Sequence, residues 1–428
     1  MSEKPSSILF APGKRRGALR RVLLGGALML GICQADAAPD NFTSIERGRV
    51  LTTAGDCTGC HTTVNGQSMA GGLALETPFG RIVTPNITPD DETGIGRWSE
   101  AEFTRAMQFG IRRDGAHLYP AFPYPNYTRV TRQDISDIYA YLRTVPPATN
   151  VVDRDTLPFP FNIRAAMAGW NLLFFTPGEF RPEAGRSEVY NRGAYLVEGL
   201  GHCGTCHTPR NLLGADSTRQ TFEGGNLLSW FAPNITGDTR RGIGGWSVQE
   251  IVEYLKTGRN ARSAASGPMA EVVMDSTSRM NEADLTAIAT YLKERGAPNG
   301  TAAPAPAPAP LAASDASMRA GMAIYTDTCM ACHTGGGGGI DLIFPRLAGS
   351  ALVQQDDPTT LLRIVISGAQ SAATDLAPTG PAMPALGWRL SDRQVADVLT
   401  FIRNSWGNAA PAVTEDQSRR MRATVAPQ

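Results

Sequence analysis

Cys57-Thr58-Gly59-Cys60-His61, Cys203-Gly204-Thr205-Cys206-His207 and Cys329-Met330-Ala331-Cys332-His333 decide the reading of this chain. Each is a Cys-x-x-Cys-His unit, the pattern through which a haem is attached covalently. Two thiols add to the two vinyl groups as thioethers, and the short turn between them brings the next His beneath the iron. A single copy could equally be a zinc half-site, but three copies leave no further ligands with which to complete structural zinc. A thioredoxin-like redox pair would not require the His each time. The expected cofactors are therefore three covalently bound haem c groups. Cys57, Cys60, Cys203, Cys206, Cys329 and Cys332 attach them, and His61, His207 and His333 are the proximal iron ligands.

The seventh cysteine, Cys33, lies in an N-terminal stretch that reads as a secretory signal. Basic residues end at Arg21, an apolar run covers Val22 to Cys33, and Ala35-Asp36-Ala37 is a small-x-small cleavage site. The run is shorter than the ~20 residues a bilayer-spanning helix needs. An uncleaved anchor and a lipid anchor on Cys33 are the alternatives, the second weakened by the bulky Ile32 before it. No cysteine is left for a disulfide, although an exported protein would permit one. The chain of 428 residues has no net charge, but residues 1–37 hold Lys4, Lys14, Arg15, Arg16, Arg20 and Arg21 against Glu3 and Asp36. Their removal leaves an acidic remainder of −4, which gives no reason to expect nucleic acid as a partner.

The flanks of the three units repeat as well. A helical pattern with an internal glycine precedes each: Gly48 with Leu51, Gly193 with Leu196, Gly321 with Ile324. Each copy ends in an amphipathic helix with an aromatic-aliphatic pair, Tyr141-Leu142, Tyr291-Leu292 and Phe401-Ile402. A glycine facing such a pair suits two helices that cross closely. Copies one and two share more: Pro85-Asn-Ile-Thr88 returns as Pro233-Asn-Ile-Thr236, and Gly94-Ile-Gly-Arg-Trp-Ser99 as Gly242-Ile-Gly-Gly-Trp-Ser247. Ser99 and Ser247 are predicted N-caps, and Trp98 and Trp246 are expected near haem. The five-glycine run 335–339 reads as a flexible loop.

The expected fold is mainly α, three tandem class I cytochrome c domains, each a small helical fold around one covalent haem. The expected division is a signal peptide at 1–37, domains at 38–145, 188–296 and 315–410, a connector at 146–187, an Ala/Pro linker at 297–314 and a flexible tail at 411–428. The Ala-Pro repeat is extended and semi-rigid, so domain three sits apart from the others or wraps round them. In the connector a helix is expected near Ile163 to Phe175. Trp170, Phe174 and Phe175 fill the junction between domains or, alternatively, bind a partner or quinone.

A haem c used for electron transfer commonly has Met opposite the His, which raises its potential. Met269 lies 62 residues after His207 and Met383 lies 50 after His333, each behind a Gly-Pro turn and ahead of the last helix. They are the expected sixth ligands, whereas Met274 and Met280 read as core. Copy one has Phe122 at the matching place, 61 residues after His61, and phenylalanine has no lone pair for iron. His117 is the candidate sixth ligand there. The alternatives are Met69, Met107 (more naturally core), water, or an open position. His202, next to Cys203, is expected to be exposed.

With these residues assembled, the chain resembles the three-haem cytochrome c subunits of bacterial membrane-associated periplasmic dehydrogenases. The likeness rests on the two Pro-Asn-Ile-Thr segments, Tyr119-Pro-Ala-Phe-Pro-Tyr124, Asn191-Arg-Gly-Ala-Tyr-Leu-Val197, Gly201 to Arg210, and Met383 to Gly407. It implies an electron-transfer subunit that takes electrons from a catalytic dehydrogenase subunit, accompanied by a small extra subunit. That catalytic partner carries pyrroloquinoline quinone, flavin or a molybdenum cofactor. Electrons pass on to ubiquinone or a downstream oxidase at the membrane surface, on the periplasmic, outer face of the inner membrane. Phe122 departs from the family pattern, which has Met there. No catalytic site of the chain's own is expected. The alternatives are a freestanding periplasmic shuttle and a haem enzyme working at an open first haem.

Overall fold

In the computed structural model the described residues are 41–153, 156–227, 229–295 and 308–425. The expected signal at 1–37 with Cys33, the linker up to residue 307, and residues 426–428 lie outside them. Helices dominate what is described. Apart from isolated bridges, β structure there consists of three two-stranded antiparallel hairpins: Ala74–Thr77 with Gly80–Val83, Gly225–Leu227 with Trp230–Ala232, and Ala369–Gln370 with Ala382–Met383.

Three crossed helix pairs organise the chain. Asn41–Ala54 packs on Arg132–Leu142, Glu188–Tyr195 on Glu282–Glu294, and Ala316–Thr328 on Asp392–Arg403. The glycines explain the closeness. A methyl group on Gly48 would fall on the Asp137 carbonyl and Tyr141 Cβ, on Gly193 it would meet the Ala287 carbonyl and Tyr291 Cβ, and on Gly321 the Asp397 carbonyl and Phe401 Cβ. Each glycine thus faces the aromatic member of its pair, as the sequence pattern requires.

The caps form at the expected serines. The Ser99 and Ser247 hydroxyls each accept from the backbone N–H three residues on, and their own backbone N–H groups donate to the Glu102 or Glu250 carboxylate, a reciprocal capping box. The two helices stop at Gly110 and Gly258, both left-handed, with φ of 63° and 79°.

Copies one and two share their cores. Ala54 belongs with Tyr190, Leu285 and Tyr291, while Tyr195 and Leu200 belong with Ile135, Ile138 and Leu142. The third copy has its own core but does not sit apart. The Thr360 hydroxyl bonds both the N–H and the carbonyl of Phe231 at 2.8 and 2.9 Å, Ser266 pairs with Ser371, and Arg241 meets Asp356 at 2.7 Å.

Three expectations change. Residues Glu415–Val425 of the expected flexible tail form a helix: Met421 is buried, and the Arg422 guanidinium bonds Asp392 at 2.7 Å and the Leu390 carbonyl at 2.8 Å. Its charged composition hides a narrow inward face of Ser418 and Met421 spaced at three residues. The connector helix is present at Ala166–Phe174 but only partly fills the junction: Trp170 stands edge-on to Tyr124 at 6.4 Å and donates to the Leu213 carbonyl at 2.9 Å, and Phe175 is edge-on to Tyr124 at 5.1 Å, whereas Phe174 is exposed. The glycine run is held rather than loose. Gly338 donates to the Thr334 hydroxyl, the Gly337 carbonyl accepts from Leu347 and Ala348, and Gly339 donates to the His333 carbonyl.

Candidate haem sites

Each Cys-x-x-Cys-His unit forms a short helical turn, Cys57–His61, Gly204–His207 and Met330–His333. The same two hydrogen bonds fix each histidine. The ring Nδ1 faces a proline carbonyl, that of Pro85 at 2.7 Å for His61, Pro233 at 2.7 Å for His207 and Pro345 at 3.0 Å for His333. The histidine carbonyl in turn accepts from a glycine N–H, Gly71, Gly224 or Gly339, all at positive φ. An Nδ1–H that donates to a carbonyl leaves Nε2 as the ring's lone-pair nitrogen and fixes the ring plane, which is how a ligand histidine is prepared for metal. Burial lowers the pKa of all three rings, against the opposing pull of the carbonyl, so they stay neutral.

The cysteines are free thiols. Burial pushes the Cys57 and Cys203 thiols up to about 12 and those of Cys60 and Cys329 to about 11, so they stay protonated at neutral pH. Paired protonated thiols beside a neutral, oriented imidazole fit covalent haem. The prolines and glycines of this arrangement were not singled out in the sequence as functional. Pro85 and Pro233 carried a signal in the repeated Pro-Asn-Ile-Thr, where Asn86 and Asn234 accept from the N–H of Thr88 and Thr236; Pro345 had no repeat to mark it.

The opposite sides differ. Met269 is the second residue of the Pro268–Asp275 helix, half-buried against Ala265, Val273 and Ala372. Met383 lies in a strand, paired with Ala369, and packs on the third core. In copy two the Ala265 N–H donates to the carbonyl of the helix-ending Gly258, four residues before Met269; in copy one the Leu118 N–H does the same to Gly110, four residues before Phe122. Phe122 therefore takes the place of Met269, tilted against Tyr127 at 5.3 Å in the first core. His117 pairs with Ile111, the residue after Gly110, just as Met383 pairs with Ala369, the residue after Gly368. Its ring Nδ1 is buried without a hydrogen-bond partner.

The other sulfur candidates of copy one stand elsewhere. Met107 is core beside Phe103 and Ile138. Met69 is buried against the attachment turn, its sulfur 3.9 Å from the Thr58 hydroxyl and its carbonyl bonded to Ile87, so it belongs to the His61 side. Met280 is core as expected, and Met274 packs beside Val273. His202 is not exposed: its ring stands edge-on to Tyr127 at 5.6 Å, because the copy-two turn packs against copy one. Trp98 and Trp246 line the first and second cores.

The first two sites are neighbours. The Pro268–Asp275 helix packs on the Cys57–His61 turn, and Cys206 lies near enough to add to the upward shift of the Cys60 thiol. Asp56, at φ 48°, sits at this junction, where burial, with Asp275 close by, lifts its carboxyl to about 7.

A cytochrome c family profile matches residues 45–146 and 318–406. The chain is 40% identical over 405 residues to the gluconate 2-dehydrogenase cytochrome c subunit of Pantoea cypripedii, covering 90% of this chain and 91% of that one. It is 38% identical over 416 residues to the alcohol dehydrogenase (quinone) cytochrome c subunit of Komagataeibacter europaeus, covering 94% and 89%. It is 37% identical over 402 residues to the fructose dehydrogenase cytochrome subunit of Gluconobacter japonicus, covering 89% and 83%. With these identities along nearly the whole length, the chain belongs to the cytochrome c family, as an electron-transfer subunit of the kind found in these dehydrogenases.

Proposed function

We propose that the chain carries three covalent haem c groups and relays electrons from a catalytic dehydrogenase subunit to ubiquinone. Bound haem supplies a one-electron redox centre whose potential follows its axial ligands. The observation that carries the number three is the repeated histidine arrangement: the Nδ1-to-proline-carbonyl bond and the glycine N–H on the histidine carbonyl recur at all three turns. We assign one haem to each of the units 38–145, 188–296 and 315–410. Met269 and Met383 are the sixth ligands of the second and third haems, and His117 that of the first. His117 owes this role to its register opposite Ile111 and to its unpartnered buried nitrogen. Cys60 beside Cys206 favours transfer between the first two haems.

The catalytic partner is a quinoprotein, flavin or molybdenum dehydrogenase, in keeping with the alcohol, gluconate, fructose and nicotinate dehydrogenases among the relatives. The chain works in the periplasm at the outer face of the inner membrane. Among the described residues no helix is long and apolar enough to cross a membrane. A pyridine haemochrome assay against protein concentration tests the first claim. Three haems per chain are expected, and two or fewer overturn it. For the first haem, His117→Ala should convert a low-spin ferric signal to high spin; an unchanged spectrum removes His117 from the ligand set.

A further inference from the structure

We infer that Ala372 of the third unit is a positioning residue for Met269, so that the distal side of the second haem is completed only by the docked third unit. The inference rests on Met269 as the sixth ligand of that haem. A ligand loop belongs to the least stable part of a fold unless something outside it holds it. The buried side chains against which Met269 packs are Ala265, Ala270, Val273 and Ala372, and all but Ala372 belong to the second unit. Ala372 is 1% exposed. It lies against the point where the loop starts: a methyl group on Gly258 would stand 2.6 Å from the Ala372 Cβ.

The first unit shows what Ala372 replaces. A methyl group on Gly110, the equivalent of Gly258, would stand 2.6 Å from the ring of Tyr124, which is fully buried two residues after Phe122. There the unit covers its own loop. Two residues after Met269 comes Glu271, which is exposed, so the second unit brings no such cover of its own. The third unit brings it, and contacts to the backbone fix it in place. Ser371 bridges Ser266, three residues before Met269, while its N–H donates to the Pro381 carbonyl at 2.9 Å. Arg259 donates to the Thr379 carbonyl at 2.6 Å. The same hairpin pairs Ala369 with Met383, so the two distal loops are joined through one short ladder. An added ligand can bind only where the thioether has moved away, so its apparent affinity rises with the population of the opened loop.

The test is imidazole titration of the ferric holoprotein in a Met383→Ala background, where the one remaining methionine–iron absorption band belongs to the second haem. Loss of that band is read directly, apart from any activity, and a haemochrome assay confirms the haem content of every sample. Ala372→Leu, which wedges the two loops apart, should lower the imidazole concentration for half-displacement at least about tenfold. Ala372→Gly removes the methyl group without adding bulk and should lower it about threefold; it carries the test if the leucine variant does not fold. Both variants titrating like their parent overturn the inference while Met269 remains a ligand. Met269→Ala in the same background should abolish the band. If the band persists there, Met269 is not the ligand, and the inference falls together with that assignment.

Discussion

The first and second haem units are built alike on the histidine side and differently on the other. His61 and His207 have the same proline carbonyl at the same 2.7 Å, the same glycine N–H and the same asparagine turn beneath. Across the pocket, Gly110 and Gly258 launch matching loops, yet one delivers Phe122 and the other Met269. A haem can keep its attachment and proximal geometry while its potential is set by one distal side chain. Two adjacent units with one scaffold and different distal side chains are therefore suited to different potentials.

The shared part of the comparison breaks most severely at the helix crossings. Gly48→Ala and Gly193→Ala each push a methyl group into a backbone carbonyl. Each should cost about 3 kcal/mol of stability, the upper end of overpacking penalties, measured by thermal unfolding of the holoprotein. Gly169→Ala, with open space around it, is the control and should gain up to ~1 kcal/mol from helix propensity. Equal losses at Gly48 and Gly193 support equivalent crossings; a small loss at either shows that the helices there can separate.

The differing part is tested by exchange of the distal residue. Met269→Ala should lower one haem potential by on the order of 100 mV, a modest part of the ~0.8 V that axial ligands span. An unchanged redox titration would remove Met269 from the iron. The reverse exchange, Phe122→Met in a His117→Ala background, should return haem one to a low-spin, higher-potential form. If Phe122 and Met269 were not equivalent, the double variant would stay high-spin.

Much of this was legible in the sequence because it recurs. The Cys-x-x-Cys-His turns, the glycine of each first helix with the aromatic of each last one, and the serine caps repeat between copies. What was not legible rests on backbone groups, which leave no residue-type pattern. The Pro345 carbonyl reaches His333 across only 12 residues, from a loop whose sequence lacks the Pro-Asn-Ile-Thr of the other two copies. The third unit docks on the second through Phe231 and Thr360 and through a Ser266–Ser371 bridge, contacts in which side-chain identity leaves little pattern. The terminal helix hid behind its charges, since Met421 and Ser418 make too narrow an inward stripe to outweigh the arginines and acids around them. The connector helix was located, but its apolar composition pointed to burial, and composition alone does not say which of its side chains the chain itself covers.

The smallest expected effect compares the two loops from their beginnings. Ser99→Ala and Ser247→Ala each remove one half of a capping box at the start of the helix that ends in Gly110 or Gly258. Loss of such a cap costs about 1 kcal/mol, and the two sites have the same partners, so the two losses should agree in thermal unfolding. The haem spectra should not change, because the serine is lost while the contacts of Glu102 with Arg113 and of Glu250 with Arg262, which hold the distal loops, remain. A shift in the second haem's potential in Ser247→Ala, without one in the first haem for Ser99→Ala, would mean that the helix carries strain to Met269. The second unit would then be the more tightly coupled of the two, and the difference between the haems would extend beyond the identity of one ligand.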